Sequence, residues 1–135
     1  MKIKPVFICA TMIVVISSAI HFLVPNSIEL FALSGVKFMA GEFWRILTFS
    51  FTHLSSNHLI ENLIAIGIVS ILGYEFGLQG KQFLIYFAAT SIIVALTDIF
   101  FFPLLVIAGA SLGTYGILGA LSIKGSNFVP KRYLI

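Results

Sequence analysis

Between Pro5 and Ile123 the chain passes through four apolar segments, at about 5–24, 57–76, 82–102 and 107–123. Three of them approach the roughly 20 residues that a helix needs to cross a bilayer. Soluble cores of this size do not need such runs. The charge content decides the class, since only 10% of residues are charged against 59% hydrophobic, well below the roughly 25% charge of soluble domains. The expected fold is all-α, a polytopic membrane protein of about four transmembrane helices in one domain over residues 1–135.

Lys2 and Lys4 ahead of the first run resemble the start of a secretion signal. The apolar stretch, however, continues past Ser17, Ser18 and Ala19 to Val24, longer than a signal core of about 7–15 residues. It reads as a retained helix. With four crossings, Lys2, Lys4, Lys81, Lys124, Lys131 and Arg132 fall on one side and Lys37 and Arg45 on the other. The positive-inside rule then puts both termini in the cytoplasm of a multi-pass cell-membrane protein. The net charge of +3 belongs to helix ends and orientation, and nucleic acid is not an expected partner.

The segment from Pro25 to about Ser56 becomes an external loop, yet it holds Phe31, Phe38, Met39, Phe43, Trp44, Leu47 and Phe51. Such a loop is expected to lie in the interfacial zone and pack beside the helices. The next helix begins near THLSSN, whose hydroxyl and amide side chains suit a helix N-terminus, and ends at GYEFGLQG. Cys9 is the one cysteine, so it can form neither an intramolecular disulfide nor a cysteine metal site; it is expected to be an apolar filler.

Polar side chains at membrane depth are costly and mark candidate sites. In HLIEN, His58 and Asn62 are four residues apart and share a helix face, with Glu61 at its border. In GASLGTYGILGA, Ser111 opens a short helix whose first-turn N–H groups need protein or water to satisfy them. An acyl-transfer site requires a nucleophile and donors for the oxyanion. Ser111, its own N–H, and the side chains of His58 and Asn62 supply those types. The competing reading is packing, because Gly109, Gly113, Gly116 and Ala120 form a small-residue stripe that lets helices touch. His58 and Asn62 then serve as interhelical hydrogen-bonding residues. A zinc site at His53, His58 and Glu61 is disfavoured: there is no HExxH pattern, and a spacing of five puts the histidines on different helix faces.

Taken in order, Trp44-Arg45, FTHLSSNHLIEN, then Gly73, Glu75 and Gly77, then GASLGTYGILGA, the chain resembles the rhomboid family of intramembrane serine proteases over about residues 41–122. The resemblance implies a rhomboid-like bundle and hydrolysis of peptide bonds in or near transmembrane helices of other proteins, without metal or cofactor. Ser111 matches the nucleophile, and His58 and Asn62 match the side chains around the oxyanion. His53, Gly109, Trp44, Arg45 and Glu75 match supporting positions. Leu112 stands where the family has glycine and is expected to add bulk where substrate approaches. The family's general-base histidine lies two crossings beyond the serine, and none of His21, His53 and His58 occupies that position. The sequence is therefore expected to be truncated after the serine-bearing helix, with an incomplete dyad unless His58 reaches Ser111 directly or through water. The alternative function is a non-catalytic rhomboid-like protein that binds transmembrane helices of partners.

Overall fold

In a computed structural model, which describes residues 4–125, the first apolar run is helix α1, Pro5–Leu23. Proline at the first helical position lacks only an N–H that would have had no intrahelical acceptor, and the helix stops where Val24, ahead of Pro25, turns extended, as a residue before proline prefers. Helix α5, Ser56–Glu75, is capped by Ser55, whose hydroxyl accepts from the His58 N–H. It ends where Gly77 takes φ +66° and the Leu78 N–H returns 2.7 Å to the Gly73 carbonyl, a glycine-based helix stop. Helix α6, Gly80–Phe101, ends just ahead of Pro103, and α7 runs Ser111–Gly125. Lys2, Lys131 and Arg132, which enter the orientation argument, lie outside the described residues.

The three long helices have the length and hydropathy of membrane spans, and no more than 33% of each span is buried within the protein. Their outward faces are apolar, as Ile60, Ile64, Ile68 and Ile71 show on α5, while Ser17, Asn62, Ser70 and Ser91 are buried between helices. A soluble protein reverses that arrangement. The chain is a helical membrane protein. Helix α7 begins at Ser111, four residues later than the run that starts at Ile107, and its 15 residues reach only about 22 Å at 1.5 Å per residue.

Helix α7 packs on α6 and α5, and α1 packs on the same pair. Their shared core joins Val6, Cys9 and Ile13 of α1 to Ile66, Phe83, Phe87, Ile117 and Leu121, so Cys9 is the apolar filler expected. The glycine stripe divides between two partners. A Cβ on Gly113 would collide with the Phe87 ring, and one on Gly116 with the Thr90 side chain, so these two bring α7 against α6. Gly109 faces α5 instead.

The segment between α1 and α5 is an ordered cap rather than a linker. It forms α2, Ser27–Phe31, α3, Gly35–Met39, α4, Arg45–Thr48, and a 3-10 turn at Phe49–Phe51. Arg45 is 3% exposed and ties the cap together. Its guanidinium donates to the Ala32 carbonyl at 2.7 Å, to the Glu29 carbonyl at 2.8 Å, and through Nε to the Glu42 carboxylate at 2.8 Å. Lys37 pairs with Glu29 at 2.7 Å. As expected of an interfacial segment, Met39, Phe43, Trp44 and Leu47 stay exposed.

Candidate active site

The cap holds the chain that leads into Ser111. Leu33 and Ile107 exchange backbone hydrogen bonds of 2.9 and 2.8 Å, the Val36 N–H reaches the Pro103 carbonyl, and the Gly109 N–H donates to the Phe49 carbonyl at 2.9 Å. These bonds fix residues 103–109 before the helix starts. Gly109 then takes φ +111°, a conformation that favours glycine, and the chain turns into α7. The first closed helical bond is the Thr114 N–H to the Ala110 carbonyl, 3.0 Å, which the Thr114 hydroxyl also meets at 2.9 Å. The N–H groups of Ser111, Leu112 and Gly113 lie ahead of it and have no intrahelical acceptor.

Ser111 opens onto a cleft of about 340 Å³ lined by His58, Glu61, Asn62, Ala65, Thr114 and Tyr115. Asn62 is 5% exposed and donates one amide hydrogen to the His58 carbonyl at 2.8 Å, which fixes its rotamer and leaves a second hydrogen for a ligand. The His58 ring lies over Gly109, and any Cβ there would come within 2.7 Å of Cε1 and 2.9 Å of Nε2. A larger cavity of about 540 Å³, lined by His21, Glu29 and His53 among others, opens beside α2. Ser111 does not line it, so this cavity is separate from the Ser111 cleft.

His53 is 1% exposed and does not line the Ser111 cleft. Its ring meets that of His58 edge-on, with centroids 5.3 Å apart at 66°. This corrects the helical-spacing argument that separated the two histidines. His53 precedes the cap residue Ser55, so it lies outside the helix, and helical periodicity does not govern its direction. Neither ring nitrogen makes a well-formed hydrogen bond. Burial pushes the His53 imidazole down to about 4, with His58 and His21 adding to the effect and the Phe51 carbonyl weakly opposing it. His21 Nε2 lies 3.1 Å from the Ser56 hydroxyl.

Leu112 corrects a second expectation. One residue along the helix turns its side chain about 100° away from Ser111, and it packs with Leu33, Phe49, Ala95, Ile99 and Ile107 instead of narrowing the cleft. Trp44 sits in the cap, its Nε1 donating to the Leu30 carbonyl at 3.4 Å. Glu75 is exposed at the far end of α5, about 20 Å along the axis from Asn62. Sequence reasoning missed Glu42 and the Glu29 and Ala32 carbonyls as partners of Arg45, although Glu42 stands three residues before it in GEFWR. It also missed Thr114 and Tyr115, the next-turn positions beyond the serine.

Fold and cleft together define a helical membrane protein with a half-buried serine at a helix start. The Rhomboid domain family model matches residues 40–130, about two thirds of the chain. The chain belongs to the rhomboid family. Searches of curated proteins and of solved structures give no match.

Proposed function

We propose that this chain carries the nucleophile and oxyanion side of a serine-type endopeptidase site that acts on transmembrane segments of other proteins. One observation carries the reading: Ser111, His58 and Asn62 line the same cleft, though 49 residues of sequence separate Ser111 from Asn62. Ser111 Oγ attacks the scissile carbonyl, its proton passing through water in the cleft to the amine that departs when the peptide C–N bond breaks. The Ser111 N–H, the free Asn62 amide hydrogen and an N–H of His58 face the developing oxyanion, where preorganised donors act most strongly. An acyl-enzyme forms and admitted water hydrolyses it. His53, Gly109 and Arg45 act as supports, His53 by backing the His58 ring, Gly109 by admitting it and Arg45 by holding the cap. Trp44 and Glu75 contribute at the cap and at the opposite end of the bundle. Both termini face the cytoplasm in this reading.

A second reading, a non-catalytic protein that binds transmembrane helices, is favoured by a specific observation. Among the described residues, His58 is the only histidine lining the cleft, and it already serves the oxyanion. Treating the membrane-embedded chain with a fluorophosphonate separates the two. The endopeptidase reading expects labelling that disappears in Ser111→Ala, and the binding reading expects identical, Ser111-independent background in both.

A further inference from the structure

Glu61 is unused by that mechanism, although it lines the Ser111 cleft. Among the described residues it makes no hydrogen bond and no ion pair. It is also the only carboxylate in the lining. No described lysine or arginine lines the Ser111 cleft. Lys37 pairs with Glu29 and Arg45 with Glu42. Lys124 bonds the Gly77 carbonyl, and Lys4 and Lys81 line a separate cavity at the opposite end of α5, beside Tyr74 and Gly77.

An exposed carboxylate on a membrane-spanning helix is costly without a partner and marks a functional contact. Its neighbours on α5 define where that partner comes from. Ile60 and Ile64 are exposed apolar residues, so Glu61 stands at the rim between the cleft and the lipid-facing surface. Tyr115, 69% exposed on α7, lines the same cleft. A carboxylate and an aromatic ring in one cleft suit an organic cation. A lysine or arginine side chain has the further advantage of an apolar stem that crosses the rim while the charge reaches inward.

We infer that Glu61 is the recognition point for a lysine or arginine side chain of a transmembrane segment seated in the Ser111 cleft. The inference rests on the endopeptidase reading for the role of that segment as substrate; docking itself requires no chemistry at Ser111. Glu61 is a specificity-determining residue, and the class of substrate is an apolar helix interrupted by one basic residue next to the bond presented to Ser111.

The test uses the full chain in maltoside micelles at pH 8 and three apolar helical peptides of about 20 residues. The peptides are identical except for lysine, norleucine or glutamate at one central position, and each carries a photoreactive diazirine beside it. Capture of the lysine peptide is expected to exceed that of the norleucine peptide by about tenfold, the scale of a modest ion pair in a partly desolvated site, with the glutamate peptide last. The preference is expected to vanish in Glu61→Gln, to turn toward the glutamate peptide in Glu61→Lys, and to persist in Ser111→Ala. Equal capture of the lysine and norleucine peptides by the wild-type chain, or a lysine preference that survives Glu61→Gln, would overturn it. A lysine preference in a chain inert to fluorophosphonate upholds the Glu61 contact while removing the endopeptidase. Ser111 labelling without any preference does the opposite.

Discussion

At Gly109, two constraints meet: the backbone holds φ +111°, and an added Cβ would stand 2.7 Å from the His58 ring. Gly109→Ala therefore has to strain the turn and displace the imidazole that lines the cleft with Ser111. We expect a destabilisation of about 1–3 kcal/mol, read as a lower midpoint of thermal unfolding in micelles; an unchanged midpoint would contradict the close approach. His53 gives a prediction with a sign. Its folded pKa, about 4, is below the ordinary value of 6.5, so between those values the unfolded chain binds the extra proton. The stability from the neutral buried ring is fully present above about pH 6.5 and is lost as pH falls toward 4, with a slope of at most about 1.4 kcal/mol per pH unit. Replacing His53 by leucine is expected to flatten that part of the stability curve, and a slope unchanged in His53→Leu would assign the titration to another group.

At the scale of elements, the cap depends on one buried cation. Arg45→Ala removes the donors to the Ala32 and Glu29 carbonyls and leaves Glu42 without its partner. Arg45 is buried but 31% of the Glu42 side chain is exposed, so the cost is expected to fall below the about 3–5 kcal/mol of breaking a fully buried pair. The loss falls on the cap and on the backbone bonds that fix residues 103–109, so limited proteolysis is expected to cut between residues 25 and 55 in the variant and not in the parent chain. Arg45→Lys retains the charge but not the fork that spans three acceptors, and is expected to behave closer to alanine than to arginine. Protection equal to the parent's in both variants would show that the cap is held by its apolar contacts. The long helices were legible in the sequence because length and hydropathy fix them and because Pro5, Pro25, Ser55, Gly77 and Pro103 mark their ends. The short helices of the cap were not, since pieces of four or five residues carry no usable periodicity and owe their form to Arg45 and to the Leu33–Ile107 bridge.

Across the whole molecule, the candidate site was legible as residue types and only partly as geometry. His58 and Asn62 could be joined by helical spacing, and Ser111 by family pattern. The direction of Leu112, the contact of His53 with His58 and the split of the glycine stripe between α5 and α6 all depend on how helices pack, which one sequence does not specify. Orientation belongs to this scale too. The proposed topology, with both termini in the cytoplasm, expects a C-terminal reporter active only outside the cytoplasm to stay silent, and a strong signal would refute it. On the proposed reading, the α5 side chains and the α7 serine work as one unit. Its most direct test is the rate of phosphonylation at Ser111, followed by mass spectrometry of the Ser111 peptide, in the parent chain and in Asn62→Ala. A single oxyanion donor is worth about 10²–10³-fold in rate, so a fall of that order is expected in Asn62→Ala with the fold intact. A Ser111 adduct that forms at the same rate in both proteins would contradict it.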